Sequence, residues 1–490
     1  MTMRRIGSLK SVADFRAYVR QLGLQLPMDD RPLSASEGSP LATPYRIGSV
    51  SVGNRWAIHP MEGWDGLKDG RPGPHTIRRW QNFGASGCKL IWGGEAFAVR
   101  HDGRANPNQL CFHPNNLPAM TALLETLVSA HTQRFGPQAS SDLVVGLQLT
   151  HSGRFSRPNR QDRAEPRIVY HHPVLDRRLG IDPTDNSLVL TDDEIAQLVE
   201  SYLESARLAR DAGFHFVDIK HCHGYLGHEF LSAYSRPGRY GGCLENRTRF
   251  LREICQAVRA ECPELMIGIR LSLFDMPAFH ARDERGGEGV ADAYPPGDYP
   301  AFGCQRDEPL QLDLDEPIAL LKYLRNTLNI ELFNLTAGSP YYNPHIQRPA
   351  FFPPTDGYGP PEDPLIGCVR QFQAVQRVKR ELPDLPVVGT AYSYLQDFLP
   401  HVTQALVREG AVDFIGLGRM ALSYWDLAAD VMQGNSISNK RVCRTFSDCT
   451  SAPRNGLVSG CFPLDPYYKQ SPDREQLQQA KRRLRHNQDD

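Results

Sequence analysis

The fold is read from Asp211-Ala212-Gly213-Phe214-His215-Phe216-Val217-Asp218-Ile219-Lys220-His221-Cys222-His223-Gly224-Tyr225. Asp211-Ala212-Gly213 stops a helix. That helix is predicted over Asp192–Asp211, with Ile195, Leu198, Val199, Tyr202, Leu203 and Ala206 on one face. Thr191 and Glu194 form a capping-box signature at its start. A short β-rich run, Phe216–Ile219, follows at once. Alternation along it puts Asp218 and Lys220 on one face and Val217 and Ile219 on the other. Helix, stop and strand, with polar residues where the strand ends, is the repeating unit of a parallel α/β fold.

The same rhythm extends from about residue 50 to residue 435. Its β-rich runs are Trp56–His59, Lys89–Trp92, Val144–Leu149, Phe216–Ile219, Met266–Leu271, Glu331–Leu335, Pro386–Val388 and Asp413–Leu417, eight in all. Eight alternations predict a (β/α)8 TIM barrel. An open doubly wound sheet would want a Gly-rich fingerprint after its first strand. Pro60-Met61-Glu62-Gly63-Trp64 stands there instead. The expected organisation is an N-terminal helical extension (1–45), the barrel (46–435) and a short Cys-containing C-terminal appendage with a tail (436–490). Two stretches, 155–190 and 275–312, exceed normal loop length. Both follow barrel strands, so both are expected at the face where barrel active sites lie. The basic run Lys481–His486 reads as a solvated helical tail.

Composition narrows the function classes. Lys and Arg number 55 against 56 Asp and Glu, so no broad basic face for a nucleic acid or an anionic membrane is expected. No run of 18 apolar residues occurs, and no apolar core of a signal peptide follows the first residues, so a soluble chain is expected. The cysteines are 11, an odd number scattered mostly singly, which fits free thiols in a reduced, cytoplasmic protein. Oligomeric state is left open, homo-oligomers included.

Chemistry in a barrel belongs at the C-terminal strand ends. Lys220 facing inward there needs a reason, because burying an unpaired charge is costly. A plain ion pair with Asp218 is the bland reading. His221-Cys222-His223 invites a metal, but i, i+2 neighbours on a strand rarely converge on one ion, and no metal is expected.

Wider motifs supply a sharper reading. His223-Gly224-Tyr225-Leu226, Glu229-Phe230-Leu231-Ser232 and Tyr240-Gly241-Gly242-Cys243-Leu244-Glu245-Asn246-Arg247 resemble the Old Yellow Enzyme family of flavin barrels, which includes the barrel of 2,4-dienoyl-CoA reductase. Pro60-Met61, Glu95-Ala96, Gln148-Leu149, Arg270-Leu271-Ser272, Gly389 and Gly418-Arg419 continue the resemblance in order. It implies FMN as cofactor and NAD(P)H as electron donor. It implies Gln148 at the flavin pyrimidine edge and Arg270 as a fixed positive charge near the flavin N1–O2 locus. Gly389, Gly418 and Arg419 would hold the phosphate, and Pro60, Met61 and Ala96 the ring system. Hydride would leave flavin N5 for the β-carbon of an activated alkene. Tyr225 would protonate the α-carbon, and His223 would hold the substrate oxygen.

Three positions depart from the family. Lys220 stands where the family has His, which suggests an anionic or strongly polar acceptor group on a small-molecule substrate. Glu62 stands where Thr or Cys is usual, and as an anion beside the flavin it is expected to lower the flavin potential. Cys443, Cys449 and Cys461 are spaced C-x5-C-x11-C, against C-x2-C-x3-C-x11-C in the dienoyl-CoA reductases. One thiolate short, the segment argues against a 4Fe-4S cluster and reads as one that only packs on the barrel. The leading function is NAD(P)H-driven ene reduction. The alternatives are an FMN-dependent amine or alcohol dehydrogenase (demethylases included) and a Lys220 Schiff-base lyase or aldolase.

Overall fold

The computed structural model describes residues 3–283, 287–293 and 301–489, with side chains described as far as Arg482. The expectations for 284–286 and 294–300, within the second long loop, and for the side chains of 483–486 in the basic tail lie outside the described residues.

All eight predicted runs are strands of one closed parallel barrel. They are β1 (Trp56–Ile58), β2 (Leu90–Ile91), β3 (Val144–Thr150), β4 (Phe216–His221), β5 (Met266–Ser272), β6 (Leu332–Thr336), β7 (Val387–Gly389) and β8 (Phe414–Leu417). Ile415 opposite Trp56 closes the ring between β8 and β1, and Leu90 opposite Val144 joins β2 to β3. A further short strand, Ala96–Ala98, runs beside β3 after the turn at Gly93-Gly94. A helix follows each strand: α1 (Pro74–Gly84), α2 (Leu117–Phe135), α3 (Asp192–Asp211), α4 (Arg249–Glu261), α5 (Asp315–Leu328), α6 (Pro364–Glu381), α7 (Leu399–Arg408) and α8 (Leu427–Gln433). The capping box at α3 is formed, with Thr191 and Glu194 exchanging hydrogen bonds with each other's backbone.

Outward strand residues such as Val217, Ile219 and Phe333 join the helices in the main core. Inward residues at the N-terminal end form a separate apolar plug of Ala57, Leu90, Trp92, Phe216, Met266, Leu332 and Phe414. An antiparallel hairpin, Tyr45–Ile47 with Val50–Val52, closes that end and adds Ile47 and Val52 to the plug. Gly146 and Gly268 leave the room that Phe216 fills; a Cβ on Gly146 would sit 2.2 Å from the Phe216 ring.

Both terminal segments lie against the barrel. Phe15 stacks on Phe398 at 4.4 Å, and Arg408 pairs with Asp29. The C-terminal segment is tied down by Arg78–Asp465 (2.9 Å), by Lys481–Asp448 (2.6 Å) and by the Ser459 N–H to the Gly63 carbonyl (2.9 Å).

Candidate active site

A cleft of about 240 Å³ opens at the C-terminal rim of the barrel. Pro60, Met61, Glu62, Ala96, Gln148, Lys220, His223, Tyr225, Arg270, Gly418 and Arg419 all line it. Gly389 does not. The Tyr392 hydroxyl lies 2.2 Å from where its Cβ would be, so the ring of Tyr392 covers it, and the next two residues, Thr390 and Ala391, take the wall instead. Ala391 has φ +70°, a left-handed turn that aims the backbone at the cleft.

On β3 and β4 the inward alternation sets up the first network. Gln148 donates to Asp218 at 2.6 Å, and the Arg270 backbone N–H donates to the other oxygen at 2.6 Å. Gln148 keeps its carbonyl and a second N–H for a ligand. Burial pushes the Asp218 carboxyl up to about 6, against the pull of Gln148 and Arg270. The ion pair of Asp218 with Lys220 does not form. Lys220 reaches across the barrel mouth to Glu62 at 3.1 Å.

Glu62 is the hub of the second network. Its Oε2 accepts from the Tyr225 hydroxyl at 2.8 Å, and that hydroxyl also meets the Tyr341 hydroxyl at 2.8 Å. The Lys220 ammonium lies 3.8 Å from the centroid of the Tyr225 ring, a cation–π contact. Glu62 is thus no isolated anion beside the cofactor place; Lys220 balances its charge. In this structure the Lys220 ammonium is engaged by Glu62. Burial and then Glu62 raise the Tyr225 hydroxyl well above the usual phenol range, so it keeps its proton.

His223 occupies a left-handed turn at φ +65°, held by its N–H to Ser272 Oγ (3.3 Å) and by Ser339 Oγ to its carbonyl (2.9 Å). Burial, with Arg270 and Lys220 nearby, keeps its imidazole well below the usual range and neutral. Its Nε2 stands 3.3 Å from Thr336 Oγ1. His221 faces the other way and packs by Phe250. Among the described residues, no group of three or more His, Cys, Asp or Glu side chains is arranged to hold a metal.

Sequence reading missed the far wall. Tyr341, Gln347 and Arg348 come from the loop after β6, and Cys449, Thr450, Pro453, Arg454 and Ser459 from the C-terminal appendage. The appendage does more than pack: it forms one side of the cleft. The loop 155–190 contributes through Phe155, which stacks on Tyr341 at 4.2 Å, and Arg178 ties that loop to Asp292 of the second long loop at 2.6 Å.

The donor set suits a planar, polar-edged, phosphorylated group such as FMN. Arg270 Nε and Arg419 Nη1 are buried without hydrogen-bond partners among the described residues, and open space lies beside Gly418. An amide, a fixed cation and a glycine–arginine pair at the ends of β3, β5 and β8 match, in order, a pyrimidine edge, its anionic locus and a phosphate.

Fold and site together define a (β/α)8 barrel with a polar, cationic cleft at its C-terminal rim. Residues 40–280 match the model of the NADH:flavin oxidoreductase / NADH oxidase family. The chain is 30% identical over 250 residues to a putative 12-oxophytodienoate reductase 2 of Oryza sativa subsp. japonica, covering 49% of this chain and 61% of that protein. It is 30% identical over 229 residues to an NADPH dehydrogenase of Geobacillus sp. (strain WCH70), covering 45% and 59%. It thus spans about three fifths of the length of these curated relatives. In fold it is similar to the Old Yellow Enzyme homologue from Zymomonas mobilis, with a TM-score of 0.55, 22% identity and coverage of 81% of this chain and 94% of that one.

Proposed function

We propose that the protein is an FMN-dependent oxidoreductase that uses NAD(P)H to reduce the activated C=C bond of a small α,β-unsaturated carbonyl compound. The observation that carries this reading is the meeting, in one cleft, of Gln148, Arg270 and Arg419 with His223 and Tyr225. FMN, when bound, would supply the hydride equivalents. Gln148 would fix the pyrimidine edge through its carbonyl and remaining N–H. Arg270, charged even when buried, would favour the reduced, anionic cofactor. Thr390, Ala391, Gly418 and Arg419 would hold the phosphate.

The neutral His223 imidazole would donate one hydrogen bond to the substrate oxygen as charge grows there. Tyr225 would give its proton to the α-carbon. Lys220, over the Tyr225 ring, would meet the negative charge left on the phenolate, and Tyr341 would return the proton through its hydroxyl. No helix among the described residues is long and apolar enough to cross a membrane. The free cysteines fit a reducing, cytoplasmic setting.

One observation favours a second reading, dehydrogenation of an alcohol or amine. Glu62 already accepts a hydrogen bond from the Tyr225 hydroxyl, so the pair is also placed to draw a proton from a substrate. Anaerobic stopped-flow separates the two. Under the first reading NAD(P)H bleaches the flavin, and an enone restores its colour. Tyr225→Phe then leaves bleaching within about twofold but slows recolouring by about a hundredfold or more. Bleaching by an alcohol or amine but not by NAD(P)H would overturn it, as would an unchanged recolouring rate in the variant.

A further inference from the structure

Three guanidinium groups line the far wall of the cleft: Arg348, Arg419 and Arg454. Arg419 sits at the end of β8 with Gly418 and donates to the Pro349 carbonyl at 2.8 Å. Arg348, one residue away, bonds Thr450 Oγ1 of the appendage. Its Nη2 is buried without a hydrogen-bond partner, and no carboxylate pairs with it among the described residues. Burial and the nearby charges of Arg454 and Arg419 push its pKa down, the direction expected of a cation crowded by cations. Arg454 pairs with Asp356 and donates to the Pro340 carbonyl at 2.6 Å. Pro340 precedes Tyr341, whose hydroxyl touches Tyr225. The cations therefore run from the edge of the reacting centre towards the phosphate place.

Lys220 is matched by Glu62 and Arg454 by Asp356, so the cations of the cleft without a carboxylate ion pair among the described residues are Arg270, Arg348 and Arg419. Arg348 and Arg454 belong to the β6 loop and the appendage, not to the strand ends that would hold the cofactor. We propose that Arg348 and Arg454 form an anion subsite for the substrate itself, so that the enzyme prefers alkenes carrying a carboxylate or phosphate group at a distance from the reacting double bond. Guanidinium forks suit either group, since both offer two coplanar oxygens to paired N–H donors. The inference rests on the alkene-reductase reading of the cleft and adds the class of substrate to it.

The test uses the full-length, FMN-loaded protein and three probes: a cyclohexenone with a carboxypropyl arm, its methyl ester, and the corresponding phosphate. Flavin absorbance changes on binding and the KM for NADPH-driven reduction are both read. The acid or the phosphate should bind about tenfold or more tightly than the ester, the scale of one charge-assisted contact. Whichever of the two gains more identifies the natural group. Arg348→Met and Arg454→Met should each bring that ratio close to one while leaving ester affinity and the FMN dissociation constant unchanged. Arg348→Lys, which keeps the charge but not the fork, should fall between and guards against a misfolded Met variant.

Equal binding of acid, phosphate and ester by the unaltered protein would overturn the proposal. So would an Arg348→Met protein that loses FMN but keeps the ratio, since Arg348 would then serve the cofactor phosphate. If no probe is reduced yet the binding ratio holds, the reductase reading fails and the anion subsite stands.

Discussion

The two ends of the barrel are built from the same strands and do opposite things. Reading inward residues along β4 from bottom to top gives Phe216, Asp218 and Lys220; β5 gives Met266, Gly268 and Arg270; β6 gives Leu332, Asn334 and Thr336. The first of each joins the apolar plug, and the later positions, Gly268 apart, carry hydrogen-bonding or charged groups. A step of two residues, about 7 Å, thus separates packing from chemistry. The lower end should govern whether the barrel stands, and the upper end what it does.

The largest effect is expected at the bottom. Phe216→Ala removes the ring that fills the space left by Gly146 and Gly268, and no neighbouring backbone can collapse into a closed barrel. It should cost about 3–5 kcal/mol, read as a shift in the urea midpoint with little change in FMN affinity of the folded fraction. A cost near zero, or a selective loss of FMN binding, would break the division between the two ends.

The middle layer should give a smaller, pH-dependent effect. Asp218 is fully buried, with its carboxyl raised to about 6 from an unfolded value of 3.8. Its folded form holds the proton more tightly than the unfolded chain does. Its contribution is therefore most favourable below the unfolded value and is lost as pH rises through the folded one. Between pH 4 and pH 6–7 the wild type should lose on the order of 2–3 kcal/mol relative to Asp218→Asn. The difference between their denaturation midpoints at the two pH values isolates this group. A constant difference would mean that Gln148 and Arg270 offset the burial of the charge.

What the sequence reveals follows the same divide. The strands were readable because Gly213-type helix stops and short apolar runs are local signals, and all eight runs became strands. The upper rim of β1, β3, β4, β5 and β8 was readable because motifs mark it. The hairpin at Tyr45–Val52 was missed although Gly48, at φ +58°, sits in a two-residue turn between alternating residues, a signal within reach. Tyr341, Arg348 and Arg454 had no such signal. Tyr341 and Arg348 lie in the loop after β6 and Arg454 ends a short helix, Asp448–Arg454, more than 100 residues further on, and only closure of the barrel and docking of the appendage bring them to one wall. The contact of Glu62 with Lys220 carried no sequence signal either, since it spans the barrel mouth.

That contact gives the smallest of these expected effects and the most direct test of the upper rim. Glu62 and Lys220 are largely buried, with side-chain exposures of 14% and 5%, so removing one partner leaves a charge short of water. Lys220→Met should destabilise the fold by about 2 kcal/mol, below the full cost of breaking a buried pair because Glu62 retains some solvent. Lys220→Met with Glu62→Gln should recover most of that loss, because no charge is then left unpaired. The single variant should also leave Tyr225 hydrogen-bonded to an uncompensated carboxylate, which opposes release of its proton and slows alkene reduction more than flavin reduction. If the double variant is no more stable than the single one, the pair does not act as a unit, and Lys220 must be held by its contact with the Tyr225 ring alone.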